Sequence, residues 1–442
     1  MKGSRFKVRG SSICRAVVLA CSLATTVNAV EPERIDLPAV LRLAGAQNLD
    51  VKLAAEKLNE ARANEAGTLW QFFPWVAPGA GYKAHDGRIQ NVEGAILDAN
   101  KQSYSVGPAV VAQLDLGDAI YKRLAAKQYT IAASHGLAAQ KEQSILAATE
   151  AYFELVRWQA NVRVADEAVQ IAKDYGNQIT GGVQAGVAFK GDQLRAETQF
   201  HRNELLLKQA EEQRRVASAK LAQLLHLDSA IPLLPREDDA VPLKLLSSGG
   251  KLDKLIGDAI ARRPELKQGQ ALVNANQANV RGAKYGPLVP TVGAQVFAGG
   301  LGGGQHGDTG NFGGSEDYQV TIGWRIGPGG LFDTSRVRKA ESQTAQASIS
   351  QEKTRDEVIR QVVENYERVK LLREEVNLAK TGVSAAQEAL KLARERKEFA
   401  VGIVLETLQS EQDATRAKFD YVNTVMELNK AQYRLKAATG GE

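Results

Sequence analysis

Two carboxylates are spaced to act together. Asp192 and Glu406 each follow a glycine-containing break by a few residues, the breaks being Gly181-Gly182-Val183-Gln184-Ala185-Gly186 and Ala400-Val401-Gly402-Ile403. An acid in the first turn of a helix is favoured by the helix dipole. The same acids would form a ring that selects cations if several such breaks met around a pore. The residue types leave both readings open.

No catalytic constellation accompanies them. His85, His135, His201, His226 and His306 are scattered, with no two at metal-ligand spacing. Gly302-Gly303-Gly304-Gln305-His306-Gly307 matches a dinucleotide fingerprint in letters but lacks the helix and βαβ context. Ser247-Ser248-Gly249-Gly250-Lys251 has the wrong spacing for a phosphate loop. Charges mostly alternate in sign, as in Arg373-Glu374-Glu375, which suits solvated helix faces. The expectation is a protein that is not an enzyme and carries no metal or cofactor.

The N-terminus explains the chain's net charge of +5. Lys2, Arg5, Lys7, Arg9 and Arg15 precede a short apolar run, Ala16–Ala24, and a small-residue site, Val27-Asn28-Ala29. This reads as a secretory signal over residues 1–29. A variant reading takes Val18-Leu19-Ala20-Cys21 as a lipidation site at Cys21. Without residues 1–29, 51 basic residues face 51 acidic ones. The balance gives no support to nucleic-acid binding. Cys14 and Cys21 both fall in the signal, so the mature chain would hold no disulfide and no cysteine metal site. No later run is apolar enough for a membrane helix, but a β-barrel strand gives a much weaker signal.

The elements that position the two breaks are written twice. Residues 104–226 reappear at 318–440 with an offset of 214: Tyr104 over Tyr318, Tyr152 over Tyr366, Leu221 over Leu435. Upstream, Asn48-Leu49-Asp50-Val51 lies over Arg263-Pro264-Glu265-Leu266 and Pro74 over Pro290. A repeated unit of this kind buries its faces by stacking or assembly. The repeats are expected at 30–228 and 252–442. A linker, 229–251, lies between them with Pro232, Pro235 and Pro242.

Within each repeat the dominant period is the heptad. Val362, Val369, Val376, Val383 and Leu390 fall seven apart, with Leu372, Ala379, Ala386 and Ala393 completing the seam. Ala148, Leu155, Val162 and Val169, with Ala151, Trp158, Ala165 and Ala172, repeat it at the 214 offset. A helix of about 60 residues would run about 90 Å. After each break a second helix returns, marked by Ala414, Tyr421, Leu428 and Leu435 in the second repeat. Two long helical hairpins are predicted.

Four segments alternate instead. In Tyr318–Ile326, Tyr318, Val320, Ile322, Trp324 and Ile326 share one face, and Gln319, Thr321, Gly323 and Arg325 the other. Tyr104–Leu114 is its partner in the first repeat, and Val76–Lys83 and Val292–Ala298 form a weaker pair. The apolar face of Tyr318–Ile326 is expected to meet lipid. Polar loops are expected over 84–103 and over 299–317, the second with nine glycines between Gly299 and Gly314.

Four strands cannot close a barrel, and an open sheet edge in lipid is costly. Such a chain must contribute part of a shared barrel. In the duplication, the sequence resembles the TolC-like outer-membrane efflux protein family. The resemblance also rests on Leu41-Arg42-Leu43-Ala44 with Asn48-Leu49, on Ala261-Arg262-Arg263-Pro264-Glu265-Leu266, on Leu331-Phe332-Asp333, on Ala151-Tyr152 and Asn365-Tyr366, and on the glycine-containing tips. It implies a mainly α fold with a small β part. Long antiparallel coiled-coil hairpins would form a periplasmic α-barrel, and four strands per chain would join an outer-membrane β-barrel in a homotrimer. It implies an exit duct of a tripartite efflux or type I secretion system, working with a periplasmic adaptor and an inner-membrane transporter. The adaptor contacts it implies are Gly186, Val187 and Ala188 at one tip and Gly402, Ile403 and Val404 at the other. Glycine at these tips would let two backbones approach closely. The chain departs from the pattern in Pro328-Gly329-Gly330-Leu331-Phe332-Asp333, in the absence of a tail beyond the last helix, and in a second tip two residues shorter when its glycine is aligned with Gly186. The alternative is a structural periplasmic coiled-coil protein without a channel, which would have no use for the alternating strand at 318–326.

Overall fold

The computed structural model describes residues 32–236, 240–245, 251–306, 308–398 and 403–441. The expected signal, both cysteines and Gly402 lie outside these residues. The elements run β1 (Glu33–Ile35), α1 (Leu37–Gln47), α2 (Leu49–Trp70), β2 (Trp75–Gln90), β3 (Ile96–Leu114), α3 (Leu116–Gln184), α4 (Lys190–Leu225) and β4 (Leu233–Pro235). They continue α5 (Leu252–Arg262), α6 (Pro264–Tyr285), β5 (Thr291–Gln305), β6 (Gly313–Gly323), α7 (Thr334–Glu398) and α8 (Val404–Ala438). Helix, helix, strand, strand, long helix, returning helix thus occurs twice in order.

Local chemistry sets the helix starts. Asn48 Oδ1 accepts from the Asp50 amide at 2.8 Å, capping α2, and Asn48 Nδ2 donates to the Leu224 carbonyl at 2.9 Å. Asp115 Oδ1 accepts from the Asp118 amide at the head of α3, and Asp333 Oδ1 from the Arg336 amide at the head of α7. The long helices span 69 and 65 residues, about 100 Å each. Part of each heptad seam is buried, while Val383, Ala379 and Ala386 on α7 and Val162 and Trp158 on α3 are half-buried. Val362, Val369, Val376, Leu390, Leu372 and Ala393 are buried on α7, as are Ala148, Leu155, Val169, Ala151, Ala165 and Ala172 on α3. Alanine at so many of these sites lets the helices approach closely.

The main core gathers the middle of both hairpins, with Tyr152 and Leu155 of α3, Leu221 and Leu225 of α4, Val358 and Val362 of α7, and Met426 and Leu435 of α8. The segment expected as an unstructured linker is docked on this core. Its β4 pairs in parallel with β1, and Leu233 is fully buried. Two buried amides of α8 then hold its backbone: Leu243 donates to Asn429 Oδ1 at 2.8 Å, and Gln432 Nε2 donates to the Leu243 carbonyl at 2.9 Å. Those bonds could not be read from a proline-rich stretch.

β2, β3, β5 and β6 form one antiparallel sheet in that order. The expected polar loops are largely strand. β2 and β3 pair from Trp75 opposite Val111 out to Gln90 opposite Ile96, and β5 and β6 from Thr291 opposite Gly323 to Leu301 opposite Gly313. Ladder bonds need a partner backbone rather than apolar side chains, so the hairpins continue past their apolar portions. The glycines of β5 have a steric reason: a Cβ at Gly300 would lie 2.0 Å from the Phe312 ring, and one at Gly302 would lie 2.6 Å from the Tyr104 ring. Those two rings stack 5.7 Å apart with 4° between planes. β6 stops at Gly323, so Trp324 and Ile326 lie beyond the strand they were assigned to. Ile326 instead bridges to Leu331 in a turn shaped by Gly327 and Gly329, both at positive φ.

Candidate functional site

The register puts even-numbered residues of all four strands on one face. Val76, Val110, Val296 and Tyr318 lie in one cross-strand row, with Ala112, Ala294 and Val320 in the next and Leu114, Val292 and Ile322 in the one after. Pro78, Ala80, Val106 and Pro108 extend the face along β2 and β3. Nothing among the described residues covers it: Tyr318 is 72% exposed and Ile322 66%. The odd face holds a groove of about 380 Å³ lined by Lys83, Ser103, Ser105, Gln295, Asp317 and Gln319 together with the apolar Phe297 and Leu301. The sheet is thus apolar on its even face from Val76 to Val106 and Leu114 and from Val292 to Ile322. It is more polar on its odd face, where Trp75, Val111, Phe297 and Leu301 are apolar exceptions. Each of its edges, β2 and β6, carries a strand with one neighbour.

At the base of the sheet, exposed aromatics cluster where strands give way to helices. Trp70 and Phe73 pack at 5.7 Å between ring centres, and Trp324 Nε1 donates to the Leu288 carbonyl at 3.2 Å. There the two repeats meet closely. A Cβ on Gly117 would fall 2.1 Å from the Gly286 carbonyl oxygen, and Arg336 Nη2 donates to Asp118 Oδ1 at 2.5 Å.

The far ends of the hairpins carry the two carboxylates. α3 ends at Gln184 and α7 at Glu398, and α4 begins at Lys190 and α8 at Val404. Both pairs differ by the repeat offset of 214, so the breaks are equal in length and the second tip is not shorter. Asp192 and Glu406 are the third residues of their helices and repeat equivalents. Neither is bare. Asp192 Oδ1 lies 3.2 Å from Arg195 Nη1, and Glu406 Oε1 lies 2.7 Å from Arg396 Nη1. Each acid sits in a helix first turn whose capping residue, Phe189 or Ile403, offers no side-chain acceptor.

Gly186 takes φ +76°, the left-handed closing position of α3. Val187 then donates to the Gly182 carbonyl at 2.8 Å. This glycine serves the turn itself. Val187 and Ile403 are exposed, while Ala188 and Val404 are half-buried. Phe189, 82% exposed, is the repeat equivalent of Ile403 and completes the apolar tip. Sequence reasoning passed over it, although the 214 offset would have found it. Behind the tip, Tyr175, Ile179, Ala196 and Leu408 make a separate small core.

Comparison with known proteins agrees with this arrangement. A family model described as outer membrane efflux protein matches residues 40–226 and again 255–441. The outer membrane efflux protein BepC of Brucella suis biovar 1 is 28% identical over 182 residues, which span 41% of this chain and 39% of that relative's length. A membrane protein from Pseudomonas aeruginosa superposes with a TM-score of 0.78 at 21% identity, over 91% of this chain and 93% of that one. The outer membrane protein VceC from Vibrio cholerae superposes at 0.73 and 17% identity, over 92% and 96%.

Proposed function

Because this chain belongs to the outer membrane efflux protein family, whose channels lie in the outer membrane and extend into the periplasm, we propose that it is the passive exit duct of a tripartite efflux or type I secretion system. The observation that carries this reading is the four-stranded sheet, apolar on one face, more polar on the other, with two unpaired edges. A sheet of that kind cannot lie alone in lipid, because every unpaired backbone group at its edges would be unsatisfied. Three copies would join β6 of one to β2 of the next and close a twelve-stranded barrel. The apolar stretch of β3, Tyr104 to Leu114, is about 33 Å along the strand. At the usual barrel tilt that gives a band about 25 Å tall, the height of an outer-membrane barrel's apolar belt.

In this reading Tyr318, Val320 and Ile322 meet lipid, the odd face lines the pore, and Trp324 and Ile326 lie at the periplasmic boundary. The repeats, 30–228 and 252–442, each supply one hairpin to a tunnel wall. The hairpin tips, Gly186, Val187, Ala188, Gly402, Ile403 and Val404, are the surface for a periplasmic adaptor, joined by Phe189. Asp192 and Glu406 stand at the entrance, and energy comes from an inner-membrane transporter. Among the described residues no helix is long and apolar enough to cross a membrane, so in this reading the sheet is the membrane element. The test is assembly and conductance. The mature chain should extract as a detergent-stable trimer and give uniform single-channel steps in planar bilayers. A monomer of normal stability in mild detergent overturns the shared barrel.

A further inference from the structure

The first turns of α8 bury polar atoms that have no partner. Thr407 and Glu411 lie one helical turn apart, and both are buried, Glu411 to 2% exposure. Glu411 Oε1 lacks a hydrogen-bond partner, while Thr407 Oγ1 and Tyr175 Oη on α3 lie against each other without a bond of good geometry. Native interiors rarely leave a buried carboxylate oxygen orphaned, and the one on Glu411 calls for an explanation. Glu411 borders a cavity of about 350 Å³ formed with Ala168 and Ile171 of α3, Leu390 and Arg394 of α7, and Ala414 of α8. An ionised carboxylate there is costly unless it is paired.

The surrounding charges make pairing available only by movement. From α3, Glu167 faces the cavity, but it is held 2.7 Å from Lys418 of α8. From α7, Lys391, Arg394 and Glu395 face it. Lys391 leans on Glu388 at 3.9 Å, while Arg394 makes no ion pair among the described residues. Arg394 is near enough to favour the charged form of Glu411 without bonding to it. Just beyond, Tyr175 lies near Asp192 of α4, and the Lys397 ammonium sits 3.9 Å above the Tyr175 ring. The repeat equivalent of Glu411 is Glu197 on α4, which is exposed. The burial is therefore particular to the second hairpin.

We propose that Glu411 is a proton-operated latch on this end of the hairpins. Protonated, it stays buried and holds the start of α8 against α3 and α7. Ionised, it turns to Arg394 and water, the cavity hydrates, and the start of α8 loosens. The latch would regulate the entrance if this end is the duct's mouth, and that part rests on the proposed function. The direction follows from linkage. Burial lifts the carboxyl from its ordinary 4.5 to about 7, against the opposing pull of Arg394. The packed state therefore binds the proton more tightly. The latch is at full strength below about pH 4.5, weakens by about tenfold per pH unit up to about 7, and levels off above about pH 8.

Hydrogen exchange on the full-length chain in detergent micelles tests this without requiring conduction. The observable is the opening equilibrium of the amides at 404–414, corrected for the intrinsic rate. In the unmodified protein it should rise about fortyfold from pH 5 to pH 7 and level off above about pH 8. Glu411→Gln should hold it at the pH 5 value throughout. Arg394→Gln should move the rise to higher pH. Glu411→Leu, a second neutral variant, should behave as Gln does and serves if the Gln variant assembles poorly. A flat profile in the unmodified protein, or an unchanged rise in both neutral variants, overturns the latch. Bilayer conductance measured on the same preparations separates the two ideas. Loss of all conductance counts against the duct alone, and the exchange profile still decides the latch.

Discussion

Lys430 on α8 donates from Nζ to Oε2 of Glu154 on α3 at 2.5 Å, joining residues 276 positions apart. Arg434 reaches Glu150 at 2.5 Å and Lys418 reaches Glu167 at 2.7 Å along the same two helices. This ladder ties the second repeat's return helix to the first repeat's long helix and fixes their register. Burial pushes the Glu154 carboxyl up, but the bonds and charges of Lys430 and Arg157 outweigh it and hold it below its ordinary range.

Removing the buried cation should therefore be costly. Lys430→Met is expected to destabilise the chain by about 2 kcal/mol, because it removes a charge-assisted bond to Glu154, which keeps Arg157 and Trp158 as partners. Adding Glu154→Leu should restore most of the loss. Urea midpoints of the three proteins in detergent would measure it. The lowered carboxyl contributes stability that is present above its unfolded value of 4.5 and lost as pH falls through its folded value. Lys430→Met should accordingly flatten the acid limb of the stability profile, and an acid limb identical to the parent's would contradict the assignment.

The two faces of β6 should tolerate charge differently. Ile322→Arg is expected to cost about 2–4 kcal/mol if its face meets lipid near the midplane, and to reduce trimer recovered from membranes. Thr321→Arg, one residue away on the polar face, should assemble normally. Equal yields from the two variants would remove the lipid assignment.

Asp192 and Glu406 are already paired, so if they stand at an entrance, freeing one should matter as much as deleting both. Asp192→Ala with Glu406→Ala should lower cation preference in planar-bilayer recordings. Arg396→Gln, which releases Glu406 from its 2.7 Å partner, should raise it. Reversal potentials unmoved by either change would leave these acids with only their role at the helix starts.

Adaptor docking should be probed at Val187, Phe189 and Ile403 rather than at Gly186. A side chain at Gly186 is strained by its φ of +76°, so its loss of function would be ambiguous. Val187→Glu combined with Ile403→Glu should leave trimer yield and conductance intact and abolish export and adaptor crosslinking. Gly402→Trp should do the same. Export that survives both changes would place the docking surface elsewhere.

The junction beneath the sheet should be intolerant of bulk. Gly117→Ala puts a Cβ 2.1 Å from the Gly286 carbonyl oxygen, and overpacking of this kind costs about 1–3 kcal/mol. Gly176→Ala on the same helix, where a Cβ meets nothing within 4 Å, is the control. Thermal midpoints that do not distinguish the two would show that the junction yields easily.

Sequence periodicity alone located part of the heptad seams, the two hairpins and the alternation of β6 as far as Ile322. These follow from neighbours a few positions apart on one element, and such neighbours are written consecutively. The duplication also made Asp192 and Glu406 equivalent, and the structure sets both at the third position of their helices. The full lengths of β2, β3 and β5 were not legible, because a strand extends as far as its partner's backbone does, whatever its own side chains. Nor was the docking of 233–236 and 240–245 on the core, which for the second stretch depends on the amides of Asn429 and Gln432 almost two hundred positions away. Glu197 and Glu411 show the limit most sharply. They occupy the same place in the repeat, yet one is exposed and the other buried. Burial is set by what the other helices bring to that point, and only the tertiary packing of α3, α7 and α8 decides it.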